Sequence, residues 1–186
     1  MPIVPDTKNW TWVLERACPE CGFDASSVAF RDIPRLTREN VAAWMPVLER
    51  DNVRERPDES TWSRLEYAAH VRDVFRVMGG RLRLLLEADD PEFENWDQDA
   101  TAVTERYNEQ DPATVAGQLR DGGLALADAW QAVPDSALGR SGRRSDGSVF
   151  TVETLGRYFI HDPVHHLWDV RPYGASDAGG ADRPSA

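Results

Sequence analysis

The sequence predicts an all-α fold, a four-helix bundle with long connecting loops. Apolar residues recur every three or four positions over four segments, near residues 33–50, 60–88, 111–133 and 151–170. This spacing gathers apolar side chains on one face of a helix. None of the chain shows the sustained apolar–polar alternation of a half-buried strand. Four such helices are typical of a bundle.

The first two helices are predicted from their apolar stripes. In the segment 33–50, Val41, Trp44 and Leu48 share one face. The segment 60–88 has the clearest stripe of the chain, and Ser60 is its predicted N-cap. That stripe consists of Leu65, Ala68, Val71, Phe75, Met78, Leu82 and Leu85.

The third helix is predicted to begin at Asp111 and Pro112, an N-cap followed by proline at the first helical position. Gly122 and Gly123 are each expected to weaken its middle by about 1 kcal/mol relative to alanine.

The fourth helix, near residues 151–170, is apolar nearly all round, which predicts burial between its neighbours. Pro163 lies within it and removes one helical hydrogen bond. We expect either a kink there or a restart of the helix with Asp162 as N-cap, and we interpret Asp162 as a cap rather than a base.

The chain is predicted to hold one domain between two extensions. Residues 1–30 form an N-terminal extension with a C-x-x-C pair, residues 31–172 form the bundle, and residues 173–186 are small, polar and expected to be disordered. The connections 89–110 and 135–150 are long enough to cover one end of the bundle, where a site would open.

The composition excludes several classes of partner. The net charge of −11 and the pI near 4.8 argue against nucleic acid and against an anionic membrane surface. No apolar run approaches the roughly 20 residues of a membrane span. The N-terminus lacks the basic and apolar stretches of a secretory signal, so the expected location is cytoplasmic.

The four histidines of the chain lie in two short segments, 66–70 and 161–166. His161 and His165 are one helical turn apart, and His70 from the second helix would add a third nitrogen donor. Three protein ligands with one open position are typical of a catalytic zinc-type site. The alternative is that these are core histidines with satisfied hydrogen bonds.

Several neighbours are candidates for supporting roles. His166 points about 100° away from His165, so it either packs within the bundle or acts in an outer shell or in proton transfer. Glu66 and Asp73, each about one turn from His70, either belong to a solvated face or orient an imidazole.

Three further groups each have a structural and a functional interpretation. Tyr158 either packs in the core or bonds a ligand, and Arg157 forms a surface salt bridge or meets an acidic substrate. The connection before the third helix either lines the site or is a polar loop with an anchoring tryptophan; its residues of interest are Asn95, Trp96, Asp97 and Asp99.

Cys18 and Cys21 form the C-x-x-C pair of the N-terminal extension. They are interpreted as reduced thiols or an occasional disulfide that ties down a loop, with a redox dithiol or a metal half-site as alternatives. A four-cysteine zinc site would need a second pair, which the sequence does not contain.

These segments resemble the DinB-like superfamily, which includes bacillithiol transferase-like and mycothiol-dependent maleylpyruvate isomerase-like proteins. The resemblance spans roughly residues 30–172 and is closer to actinobacterial DinB-domain proteins. The matching segments are 18–24, 65–71, 95–102 and 161–170. The chain departs from many members in having Leu167, Trp168 and Asp169 where they have Arg-Gly-Gln, and in its cysteine pair.

The resemblance implies a divalent metal, commonly zinc or nickel, held by His70, His161 and His165, and a homodimer. Its best-understood members use the metal to hold a thiol, and metal coordination favours the nucleophilic thiolate. The resemblance therefore implies a thiol transferase or isomerase of the mycothiol type acting on a small electrophile. The alternatives are a non-catalytic metal-binding or sensing bundle and a bundle that binds a small ligand without metal.

Overall fold

A computed structural model describes residues 9–171. Four long helices form the bundle, as predicted, and a fifth, short helix lies in the connection before the third of them. α1 and α2 each pack against both α4 and α5. The helices are α1 (Ile33–Leu48), α2 (Arg64–Glu87), α3 (Gln98–Thr104), α4 (Pro112–Ala132) and α5 (Val152–Asp169).

The two long connections also contribute a small sheet. It consists of β1 (Glu92–Phe93), β2 (Ser141–Arg144) and β3 (Val149–Thr151), in that order. β1 pairs with β2 in parallel, and β2 pairs with β3 antiparallel. The prediction of a purely helical chain is therefore incomplete, because such short strands leave no alternation that a sequence pattern could reveal.

The start of α2 differs from the prediction. Ser63 rather than Ser60 is the N-cap, and its hydroxyl accepts a hydrogen bond from the Glu66 N–H at 3.2 Å. The Glu66 carboxylate in turn accepts from the Ser63 N–H at 2.8 Å, which completes a capping box. Ser60 instead donates its hydroxyl to Asp58 in the preceding turn.

α4 begins as predicted, with Asp111 as N-cap and Pro112 in its first turn. α5 runs without interruption through Pro163, so the expected restart with Asp162 as its cap is wrong. Asn40 on α1 donates its side-chain amide to the Pro163 carbonyl at 2.7 Å. This bond joins α5 to α1 beside the position where proline removes a helical hydrogen bond.

The segment before α1 packs along α5. It contains 3-10 turns at Trp10–Leu14 and Ala25–Ser27, and Phe30–Asp32 leads into α1. Arg157 of α5 donates to the Val28 carbonyl at 2.9 Å. The predicted disordered tail, 173–186, lies outside the described residues. Within residues 9–171, the helices are too short or too polar to cross a membrane.

Candidate metal centres

α5 presents two interleaved pairs of potential ligands, each with the spacing of one helical turn. His161 and His165 form one pair, and Asp162 and His166 form the other. Because successive helical residues are rotated by about 100°, the two pairs leave α5 in different directions. The first pair meets the N-terminal segment, and the second meets α2.

The second pair joins His70 of α2 in what we call the inter-helix cluster, His70, Asp162 and His166. Their potential ligand atoms all lie within 4.8 Å of one another. His70 Nε2 is 3.4 Å from Asp162 Oδ2, and His166 Nε2 is 3.8 Å from Asp162 Oδ1. A nitrogen and an oxygen bound tetrahedrally to one zinc ion lie about 3.4 Å apart. The spacing therefore suits a shared cation.

The electrostatics of the inter-helix cluster also favour a cation. Burial raises the pKa of Asp162, but the attraction of His70 and His166 outweighs it and lowers that pKa to about 2. Asp162 Oδ1 is buried without a hydrogen-bond partner among the described residues. Buried polar atoms are rarely left unpaired, and a bound cation would satisfy this one.

Neighbouring side chains fix the two imidazoles of this cluster. The His70 ring is wholly buried and stacks almost parallel on Trp96, with ring centroids 5.3 Å apart, and Trp62 lies 5.5 Å away. His166 Nδ1 lies 2.8 Å from Asp169 Oδ2. When Nδ1 donates to that carboxylate, Nε2 carries the lone pair that can bind a metal, an arrangement common among metal-ligating histidines.

The first pair of α5 joins the two cysteines in what we call the cysteine cluster, Cys18, Cys21, His161 and His165. All four potential ligand atoms lie within 4.8 Å of one another. Cys18 Sγ is 3.6 Å from His165 Nδ1, and Cys21 Sγ is 3.8 Å from His161 Nε2. Cys18, His161 and His165 are buried, and Cys21 is half-buried.

Burial shifts the pKa of three groups of the cysteine cluster, Cys21, His161 and His165. It raises the pKa of the Cys21 thiol to about 11. Burial, together with the neighbouring His165, lowers the pKa of His161 to about 4, and burial also lowers the pKa of His165. Both histidines are therefore neutral near pH 7, which is the form that binds metals.

A cavity of about 270 Å³ lies beside both clusters. Two tryptophan and two tyrosine rings contribute to its wall, and no lysine or arginine is among the described residues that line it. The lining consists of Trp10, Glu20, Ser60, Trp62, Tyr67, Gln98, Asp99, Tyr158, His161, Asp162, His165, His166 and Asp169.

The family profile of the DinB superfamily matches residues 35–170 of this chain. The chain belongs to the DinB superfamily. The match covers all four long helices except the first two residues of α1, whereas Cys18 and Cys21 lie outside it. No curated protein matches the chain.

The fold is also similar to that of a solved structure. YfiT from Bacillus subtilis, described as a probable metal-dependent hydrolase with an unusual four-helix bundle topology, superposes with a TM-score of 0.63. The alignment covers 91% of this chain and 93% of YfiT at 16% sequence identity. At that identity the likeness shows the fold alone.

In this member of the DinB superfamily, the expected ligand set His70, His161 and His165 is divided between the two clusters. His70 lies with Asp162 and His166, and His161 and His165 lie with the cysteines. The spacing of four residues is common to both pairs on α5. It therefore gives no information on which pair faces α2.

Other candidate residues have structural partners. Glu66 caps α2 and pairs with Arg56, and Asp73 accepts a hydrogen bond from Tyr107, so neither orients His70. Arg157 binds the Val28 carbonyl and Glu153 and lies outside the cavity lining. Tyr158 lines the cavity, and its hydroxyl accepts from Arg144 at 3.3 Å.

The connection before α4 lies partly at the site. Asp99 lines the cavity, and Trp96 stacks on His70 while donating its indole N–H to Thr101 at 2.8 Å. Asp97 caps α3, and the Asn95 N–H donates to Ser145. Of the four residues of interest in this connection, Trp96 and Asp99 therefore lie at the site, and Asn95 and Asp97 do not.

Three features were missed from the sequence. Asp162 was interpreted as a cap, although it stands four residues before His166, as His161 stands before His165. Asp169 has no predicted role, although it stands three residues after His166, a spacing that brings side chains on a helix into contact. The C-x-x-C pair needs two further ligands for a tetrahedral site, and a pair of histidines four residues apart can supply them as well as a second cysteine pair can.

Proposed function

We propose that this chain is a metal-dependent enzyme whose divalent ion is held by His70, Asp162 and His166. The observation that carries the proposal is the position of the inter-helix cluster, two of whose members line the cavity. Imidazole and carboxylate donors suit zinc and nickel. Three protein ligands leave a coordination position for a substrate or a nucleophile.

When bound in such a site, a divalent ion lowers the pKa of a coordinated water or thiol and so supplies a nucleophile near neutral pH. The protein's own residues hold the geometry. Trp96 and Trp62 fix the His70 ring, and Asp169 fixes that of His166. The aromatic surfaces of Trp96 and Trp62 also exclude water from one side of the inter-helix cluster.

The cavity indicates the class of substrate. Its wall carries four carboxylates, from Glu20, Asp99, Asp162 and Asp169, whose total charge a divalent ion offsets only in part, and none of its described lining residues is lysine or arginine. An anionic substrate would be repelled there. We therefore propose a small, neutral electrophile that packs against the aromatic wall.

Two nucleophiles remain open within this proposal. A low-molecular-weight thiol such as mycothiol would make the chain a transferase or isomerase, as the sequence resemblance implies. Water would make it a hydrolase, which the likeness to YfiT supports. We also propose that the protein acts in the cytoplasm, where such thiols are kept reduced.

The test combines metal content with turnover. Tag-free protein loaded with zinc or nickel would be assayed with neutral esters and amides alone, and with neutral alkylating electrophiles in the presence and absence of a thiol. Turnover without thiol identifies a hydrolase, and turnover that needs the thiol identifies a transferase.

Asp162→Ala and His166→Ala are expected to lose the ion of the inter-helix cluster and turnover together. Asp99→Asn, which alters the cavity but no proposed ligand, is the matched control and should keep its metal. Metal bound by the inter-helix cluster without turnover of any of these substrates would favour the alternative, a non-catalytic metal-binding module.

A further inference from the structure

We propose that the cysteine cluster is a second metal site, a closed tetrahedral zinc site formed by Cys18, Cys21, His161 and His165. It is separate from the inter-helix cluster and does not depend on the proposed activity. Two of its ligands come from the N-terminal segment, and two come from α5.

The distances between the potential ligand atoms are those of a zinc site. In tetrahedral coordination, zinc lies about 2.3 Å from sulfur and about 2.0–2.1 Å from imidazole nitrogen, which places the two ligand atoms about 3.6 Å apart. The Cys18–His165 and Cys21–His161 pairs are 3.6 and 3.8 Å apart. All four atoms lie within 4.8 Å of one another, close enough to share one ion.

A tight turn presents the two sulfur atoms on the same side. The Cys18 N–H donates to the Phe23 carbonyl, and the Gly22 N–H donates to the Cys18 carbonyl, each at 2.9 Å. Gly22 has a φ of +73°, a conformation that glycine adopts without the strain of a side chain. The turn therefore orients the C-x-x-C pair toward α5 before any metal binds.

The charge of this donor set suits a buried site. Loss of one proton from each thiol gives two thiolates, which together neutralise a Zn²⁺ ion, and both protons pass to solvent. A neutral complex avoids the large cost of burying an unpaired charge. Cys18 is 2% exposed, and His161 and His165 are 4% and 6% exposed.

Two carboxylates lie near the second ring nitrogen of His165. His165 directs Nδ1 at Cys18, and its Nε2 lies 3.5 Å from Glu20 and 3.8 Å from Asp169. Metal-ligating histidines usually present their second nitrogen to a carboxylate in this way. The arrangement is thus that of a metal ligand rather than of an isolated core histidine.

Four protein ligands leave no open position, so we assign this zinc a structural role. It would fasten the N-terminal segment to α5, and that segment contributes Trp10 and Glu20 to the cavity wall. The Trp10 ring lies 5.5 Å from the ring of His161 and 5.4 Å from that of His165. The second ion would therefore hold one side of the cavity in place.

The first experiment counts metal in zinc-loaded protein by mass spectrometry. Wild type should hold two ions per chain if both clusters bind, and Cys18→Ser/Cys21→Ser should hold one fewer. Ser27→Ala, an exposed change in the same segment, is the control and should match wild type.

The second experiment does not require the cysteine variant to fold. In His70→Ala/His166→Ala, zinc X-ray absorption should show two sulfur atoms at about 2.3 Å and two nitrogen atoms at about 2.0–2.1 Å. A zinc environment without sulfur, the absence of zinc from this variant, or a Cys18–Cys21 disulfide in zinc-loaded protein would each overturn the proposal. Failure of the proposed enzyme activity would leave it unaffected.

Discussion

Asp169 lies between the two clusters, with Oδ2 2.8 Å from His166 Nδ1 and 3.8 Å from His165 Nε2. Only the first distance is that of a hydrogen bond. The carboxylate therefore orients His166 directly and contributes mainly its charge at His165. One side chain at the end of α5 thus supports both candidate metal sites.

We expect Asp169→Asn to weaken metal binding by the inter-helix cluster by about 10- to 100-fold, the usual effect of removing a carboxylate behind a histidine ligand. Competition with a chromophoric chelator would measure this metal affinity. The Cys18→Ser/Cys21→Ser background would be used, because only the inter-helix cluster remains intact there. Asp121→Asn on the exposed face of α4 makes the same chemical change away from the site. Equal affinities in both variants would contradict the role of Asp169.

The start of α2 predicts a pH dependence of stability. Burial raises the pKa of Glu66, but hydrogen bonds from Arg56 and from the Ser63 N–H outweigh it and hold that pKa below the usual 4.5. The folded protein therefore favours the charged carboxylate. This stabilisation is fully present above pH 4.5 and is lost as the pH falls through the folded pKa.

Glu66→Gln should accordingly lower the free energy of unfolding by about 1.5–3 kcal/mol near pH 7, the range for hydrogen bonds to a charged group. The difference from wild type should shrink below pH 4.5. Urea unfolding of both metal-free proteins across this range would measure it. A difference that stays constant with pH would show that the charge of Glu66 contributes nothing to the fold.

The bundle could be predicted because its signals are local. The stripes of α2 and α5 and the Asp111–Pro112 start of α4 need only the geometry of one helix. The capping box Ser63–Glu66 is an equally local signal, because a glutamate stands three residues after Ser63, whereas a serine stands three residues after Ser60. The strands were missed for two reasons. β1 pairs with β2 across about 50 positions, as between Glu92 and Arg143, and the β2–β3 hairpin, although local, has strands too short to show an alternation.

The metal clusters were harder to predict because they depend on the rotation of α5 about its axis. The spacing of four residues identifies two ligand pairs but not the neighbour that each pair faces. The cysteine cluster also joins Cys18 to His165 across 147 positions of sequence. Sequence spacing identified the residue types of both sites, and helix packing determined their grouping.

Adjacent glycines in α4 should respond in opposite ways to alanine. A Cβ on Gly123 would lie 2.6 Å from Phe75 Cε2 and closer still to Val41, whereas a Cβ on Gly122 would meet no atom within 4 Å. Gly123 is therefore required where α4 approaches α1 and α2. Gly122 is exposed, and the only effect of its lack of a side chain is to weaken the helix.

Gly123→Ala should destabilise the protein by about 1–3 kcal/mol through overpacking. Gly122→Ala should stabilise it by about 0.5–1 kcal/mol, the helix preference of alanine over glycine. Denaturant unfolding of the two variants beside wild type gives both values. Stabilisation by both changes would mean that α4 can move away from α1 without cost.

Tyr107 anchors the connection before α4 through one buried hydrogen bond. Its hydroxyl donates to Asp73 Oδ2 on α2 at 2.5 Å, and its side chain is 1% exposed. Burial and the bond to Asp73 raise the pKa of Tyr107 above its ordinary value, so the hydroxyl keeps its proton at any physiological pH. The connection that carries Trp96 to His70 is thus tied to α2 by a charge-assisted bond.

Tyr107→Phe should lower the free energy of unfolding by about 1.5–3 kcal/mol, because the ring remains while a bond to a buried carboxylate is lost. Asp73 keeps its ion pairs with Arg72 and Arg76, which should hold the loss within that range. In the double-mutant cycle with Asp73→Asn, the two changes should be less than additive. Full additivity would show that the 2.5 Å contact does not stabilise the fold.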